Sequence, residues 1–146
     1  MSRVYWDSML FVYSIEDHPE YAPRVEAIRI AMLERGDLLC TSVLTLAELL
    51  AGARKRHNKE LEEKIRGTFD GPDLEVLPFV AATAPFFGEI RATHNVTAAD
   101  AIHLACAAQA ATDVFVTNDH SLAGKTIPGI QFIVGLETDL FGPRRE

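Results

Sequence analysis

The sequence predicts an α/β domain, a three-layer α/β/α sandwich around a mainly parallel five-stranded sheet, spanning residues 1–146 as a single unit. Three observations lead there. Five short runs of strand type, at 3–6, 38–41, 74–77, 114–116 and 130–134, are separated mostly by connections long enough to hold helices, as parallel pairing requires. An Ala-rich segment from Ala98 to Ala111 has Asp100, His103 and Gln109 as its only polar side chains, so it reads as a helix buried on most of its circumference. Polar clusters, Asp7-Ser8 and Thr117-Asn118-Asp119, directly follow two of the strands, at the edge where open α/β sheets bind ligands.

The elements follow in order. Arg3-Val4-Tyr5-Trp6 opens the chain as a strand, and Asp7-Ser8 precedes an apolar run at 9–13, which makes Asp7 both a strand-end acid and a candidate helix cap. His18-Pro19-Glu20 is a loop; helical spacing through Val25, Ile28, Ile30, Met32 and Leu33 then continues until Gly36-Asp37 stops it. Residues 38–41 form the second strand, with Ser42 placed to cap a helix over 43–54. That helix surrounds one ionisable side chain, Glu48, with apolar neighbours. Glutamate is seldom buried without a partner, so a functional role is favoured over an ordinary surface position.

Residues 58–69 form an amphipathic helix closed by Gly71-Pro72, and 74–77 the third strand. Residues 80–95 are mainly helical. Thr97-Ala98-Ala99-Asp100 fits a capping box with Asp in the place of Glu, which gives Asp100 a structural alternative. After the strand at 114–116 come a loop at 124–129, the last strand, and a tail from Leu136 to Glu146 with no evident role.

Composition narrows the function. With 146 residues, 48% hydrophobic and 24% charged, the chain has material for a sizeable core. It shows neither a signal-peptide pattern nor an apolar stretch of membrane-spanning length, so a cytoplasmic protein without membrane association is expected. Cys40 and Cys106 lack metal-ligand spacing and read as inert core thiols. A formal net charge of −7 argues against coating nucleic acid by bulk electrostatics. The local exception is Arg54, Lys55, Arg56, Lys59, Lys64 and Arg66, which reads first as a solvated helix face interleaved with Glu60, Glu62 and Glu63.

Four acids are therefore placed near one sheet edge: Asp7, Glu48, Asp100 and Asp119. Unpaired carboxylates at ~5 Å repel by roughly 3 kcal/mol per pair at an effective dielectric of 20, so such a pocket calls for cations. Oxygen-only ligation points to Mg²⁺ or Mn²⁺ rather than zinc, and such ions support metal-assisted phosphodiester hydrolysis. Ser8 is placed to hydrogen-bond a ligand carboxylate.

At these residues the chain resembles a known family. Val4 to Ser8, Ser42 to Gly52, Ala99 to Ala105 and Val116 to Asp119, in that order and at these intervals, are similar to the acidic motifs of PIN-domain ribonucleases, above all the VapC-type toxins of prokaryotic toxin–antitoxin pairs. The resemblance covers nearly the whole chain. It implies that Asp7, Glu48, Asp100 and Asp119 hold Mg²⁺ or Mn²⁺, that Thr117 and Asn118 support them, that RNA is the substrate, and that the partners are a cognate antitoxin and a second copy of the chain. Two positions depart from the pattern: Met9 stands where a small polar residue is frequent, and Leu122 where an aromatic often follows the last motif.

His103 and His120 flank two of the acids. The first is expected on a helix surface and the second in a loop, and neither is given a catalytic role, because hydrated divalent ions generate hydroxide without histidine. Two other readings stay open. A receiver or phosphatase-like domain would also gather strand-end acids around Mg²⁺ but needs an aspartyl phosphoacceptor with a lysine partner, and the only lysine near the final strands is Lys125. A non-catalytic PIN-like protein-binding module would keep the core and lose activity, and the intact acids speak against it.

Overall fold

A computed structural model describes residues 2–141. The order is β1 (Arg3–Trp6), α1 (Ser8–Ile15), α2 (Ala22–Arg35), β2 (Leu38–Ser42), α3 (Val43–Lys55), α4 (Lys59–Asp70), β3 (Leu74–Leu77), a 3-10 turn (Ala81–Thr83), α5 (Ala84–Thr93), α6 (Ala98–Gln109), β4 (Val114–Val116) and β5 (Phe132–Val134). The five strands form one sheet in the order β3-β2-β1-β4-β5. Every neighbouring pair is parallel, so the sheet is wholly rather than mainly parallel.

Strand alternation divides the apolar residues between two cores. Val4, Trp6, Val114 and Val116 face one layer, where they meet Leu10, Val25, Leu49, Leu61 and Ile65 of α1 to α4. Tyr5, Cys40 and Phe115 face the other, against Ile90 of α5 and Leu104, Ala105 and Ala108 of α6. The Ala-rich helix is as buried as its composition requires: Ala101, Leu104, Ala105 and Ala107 are fully enclosed. Small side chains let α6 lie close to its neighbours. At its end Gly129 adopts φ +98°, and a Cβ there would come within 2.7 Å of the Ala108 carbonyl, so only glycine fits the turn before β5. Cys40 and Cys106 are both buried, and burial pushes their thiols up to about 12 and about 11, consistent with inert core cysteines.

Two anticipated caps are absent. Asp7 and Ser42 occupy the N-cap positions of α1 and α3, yet neither side chain bonds its helix. Asp7 accepts from Thr117 instead, and Ser42 Oγ hydrogen-bonds the buried Tyr5 hydroxyl. Tertiary partners have taken both side chains. Asn58 does cap α4, and Gly36 ends α2 in the left-handed conformation at φ +71°. Within α2, Val25, Ile28 and Met32 are buried, whereas Ile30 and Leu33 of the same apolar pattern are exposed.

The tail also departs from expectation. Leu136 and Phe141 join the core beside α2, where the Arg35 guanidinium lies 5.4 Å from the Phe141 ring centroid and donates to the Leu140 carbonyl. Up to residue 141 this segment therefore has a packing role; 142–146 lie outside the described residues.

Candidate metal centre

The sheet places the site. Reading outward from β1, the chain runs to β2 and β3 on one side and to β4 and β5 on the other, so β1 and β4 flank the point where the winding reverses. Loops leaving the carboxyl ends of strands at such a point diverge and leave a crevice. Asp7 follows β1, and Thr117 to Asp119 follow β4; the Asp7 N–H still donates to the Val116 carbonyl at 3.0 Å, which carries the pairing up to the crevice rim. There Thr117 Oγ1 donates to Asp7 Oδ2 at 2.7 Å and accepts from the Asp119 N–H at 3.0 Å. One buried threonine thus sets the spacing of two acids from different strands.

Helices deliver the other two. Asp100 lies in the first turn of α6, where the helix dipole favours negative charge. Thr97 accepts the Asp100 N–H at 3.1 Å, which is one half of the anticipated capping box. Glu48 projects from α3 with its side chain 42% exposed.

All four acids line one cleft of about 260 Å³, together with Ser8, Met9, Tyr13, His103 and Asn118. Among the described residues no lysine or arginine lines it, and Asp7, Asp100 and Asp119 make no ion pair. Burial pushes the Asp100 carboxyl up from its ordinary range; a hydrogen bond with Thr97 offsets part of this, and the charges of Asp119 and Asp7 add to it. Glu48 moves the other way. The hydrogen bond from His103 holds its carboxyl below the usual range against burial, with Ser8 adding to the effect.

The donor set suits a hard divalent cation. Carboxylates dominate, and Asn118 adds an amide oxygen that is buried without a partner among the described residues, while its Nδ2 donates to Tyr13. The acids are nonetheless splayed: among the described residues no three His, Cys, Asp or Glu side chains are close enough to form a preassembled cage. Asp119 illustrates the point, being exposed and with its Oδ1 engaged by the N–H and hydroxyl of Ser121.

The chain matches the PIN domain family model over residues 4–126. It belongs to the PIN domain family. Among curated proteins none matches. Solved structures with a similar fold include VapBC2 from Rickettsia felis bound to a DNA fragment from its promoter, at 21% identity and TM-score 0.71, over 91% of this chain and 98% of that one. A toxin–antitoxin complex from Klebsiella pneumoniae is similar at 20% identity and TM-score 0.63, over 87% and 94%. VapBC-5 from Mycobacterium tuberculosis, of the VapBC family of toxin–antitoxin systems, is similar at 20% identity and TM-score 0.61, over 92% and 99%. At such identities these likenesses establish the PIN fold. They leave the chemistry to the residues of this chain.

Two features of this PIN domain escaped the sequence. His103 is buried, not on a helix surface: its Nδ1 lies 2.7 Å from the Tyr5 hydroxyl and its Nε2 2.9 Å from Glu48 Oε1. Its position was a usable signal, because it falls three residues after Asp100 on a helix otherwise made of alanine and other apolar side chains, and so shares the acid's face. Leu122 is the second. It is a core side chain, 1% exposed, that anchors the turn carrying Asp119. His120 is exposed, as expected. In the basic segment Arg54 and Arg66 pair with Glu62, Lys64 with Glu60, and Arg56 with Glu16 of the loop after α1, which favours the solvated-face reading.

Proposed function

We propose that this PIN domain is a divalent-metal-dependent endoribonuclease and the toxin of a toxin–antitoxin pair. The observation that carries the proposal is the cleft itself: four carboxylates from four separate elements line it at the sheet's reversal point, with no lysine or arginine among the described residues beside them. Asp7, Glu48, Asp100 and Asp119 would hold Mg²⁺ or Mn²⁺, with Ser8, Thr117 and Asn118 fixing and supplementing them. A cation there supplies a water of lowered pKa and neutralises charge on a phosphate under attack. The chain's own contribution is to hold the carboxylates on elements that cannot drift apart, since β1 and β4 are paired and α6 is buried. The substrate is anionic and the protein carries net charge −7, so the cation also relieves the repulsion between RNA and cleft.

Cleavage of RNA by the purified chain should stop in excess chelator and return with Mg²⁺ or Mn²⁺. Undiminished cleavage in chelator would sink the mechanism.

The antitoxin belongs to the same proposal. The similar structure from Klebsiella pneumoniae is a toxin–antitoxin complex and that from Mycobacterium tuberculosis belongs to the VapBC family of toxin–antitoxin systems, and an acidic cleft of this kind is complementary to an arginine or lysine of a partner segment. Co-expression with the product of the adjacent gene should yield an inactive complex. If the chain comes out freely active, the toxin assignment fails while the nuclease assignment stands. A homodimer and a cytoplasmic location complete the proposal.

The receiver-like alternative does not fit. Its sheet order would be 2-1-3-4-5, against 3-2-1-4-5 here, and Lys125 does not line the cleft. The intact acids count against a purely protein-binding module.

A further inference from the structure

Glu48 is held by one oxygen only. Oε1 accepts from Ser8 Oγ at 2.9 Å and lies 2.9 Å from His103 Nε2, while Oε2 makes no hydrogen bond among the described residues. His103 is itself pinned from behind, Nδ1 being 2.7 Å from the hydroxyl of Tyr5, a fully buried residue of the central strand. That hydroxyl also lies 2.9 Å from Ser42 Oγ, and the Tyr5 ring stacks on Phe115 with centroids 4.8 Å apart and planes 7° apart. A rigid line therefore runs from the core of the sheet to one oxygen of one carboxylate. Glu48 needs it: a glutamate has three side-chain torsions, stands half-exposed on α3, and would otherwise sample many rotamers.

We propose that Tyr5 and His103 are positioning residues that clamp Glu48 by Oε1 and so present Oε2 to the cleft as a prearranged cation ligand. This rests on the metal-site reading above. It goes further in giving a purpose to a buried histidine and tyrosine that touch no cation themselves. Of the four acids, Glu48 is the one whose chain is long enough to require such a clamp; Asp7 is fixed by Thr117 and Asp119 by its own turn. Removing outer partners of ligating groups typically weakens metal affinity 10–100-fold.

The test is Mn²⁺ binding by calorimetry, with melting temperature in chelator as the check on folding and RNA cleavage as a separate readout. His103→Leu fills the space without a donor and should raise the Mn²⁺ dissociation constant by at least ~10-fold. His103→Gln, which can still donate to Oε1, should recover part of that loss. Tyr5→Phe keeps the stacked ring, removes the pin behind His103, and should weaken binding in the same direction. A merely structural histidine would lower affinity whatever stood at position 48, so the deciding comparison is His103→Leu in a Glu48→Ala background, where a clamp has nothing left to hold and should add no further loss. A folded His103→Leu protein that binds Mn²⁺ like wild type overturns the clamp, as does a full additional loss in the Glu48→Ala background. Should His103→Leu fail to fold, Tyr5→Phe at wild-type affinity overturns it in its place. Wild-type protein that binds no Mn²⁺ overturns the metal reading and the clamp together, which separates the two failures.

Discussion

Asp7→Asn is expected to cut RNA turnover by at least ~100-fold, about 2.7 kcal/mol of transition-state stabilisation, while the folded structure persists. Both halves follow from the same contact. Thr117 Oγ1 donates to Asp7 Oδ2, and an asparagine carbonyl can accept that bond equally well, so the threonine, the strand ends and the Asp119 turn keep their places. What disappears is one negative charge at the centre of the cleft. Because Asp7 does not cap α1 through its side chain, no helix stability goes with it. Single-turnover cleavage beside a circular dichroism melt makes the measurement; wild-type turnover in a verified, folded Asp7→Asn protein would remove this residue from the chemistry.

A second large effect is expected in stability alone. In chelator at neutral pH, Asp100→Asn should melt higher than wild type. The sign follows from the direction of the shift: burial, with Asp119 and Asp7 adding, raises the carboxyl in the folded protein above its unfolded value. A raised acid favours folding fully only below the unfolded pKa and loses that contribution as pH rises through the folded one, so at neutrality the ionised group is a liability. Asparagine removes it, keeps the backbone N–H that Thr97 caps, and should lose its advantage near pH 3, where Asp100 is protonated in both states. Mg²⁺ should reverse the order. At ~100 times its dissociation constant a ligand specific to the folded state adds about 2.7 kcal/mol, roughly 5–10 °C for a chain of this size, and the variant should gain much less. Equal gains with Mg²⁺, together with a less stable variant in chelator, would return Asp100 to an ordinary helix-start role. Asp119→Asn is a poorer probe of the same repulsion, because that carboxylate also organises the turn through Ser121.

What the sequence made legible depends on how local the cause was. Strands β1, β3 and β4 fall at their predicted positions because each is a short apolar run bounded by polar residues, and α6 because alanine without polar interruption leaves few alternatives. The four acids converge for the same reason: strand ends and helix starts are set by neighbours in sequence, and a parallel sheet brings them to one edge. The misplacements at Asp7, Ser42 and His103 have a different origin. Each is a polar side chain whose partner lies far along the chain, 110 residues away for Asp7 and Thr117, 37 for Tyr5 and Ser42, 98 for Tyr5 and His103. Local propensity pointed to caps and a surface ring, and distant partners outcompeted it. Leu136 and Phe141 were unreadable on the same ground, since nothing nearby in sequence announces that α2 leaves room for them.

The strand order also governs when the cleft can be completed. β1 is the first strand to be made, yet its pairing with β4 waits for Val114 to Val116, and the cleft is incomplete until Asp119 has followed. During synthesis a nascent chain can close β1, β2 and β3 with α1 to α4 while one edge of the central strand stays bare. A ribosome-bound fragment of two-thirds of the sequence therefore holds Asp7 and Glu48 but lacks Asp100 and Asp119. Long-range parallel pairing is slow, and an open apolar strand edge is prone to mispairing. The late completion of the cleft thus comes with a window in which the unfinished protein is exposed to aggregation, and that window closes only when β4 pairs with β1.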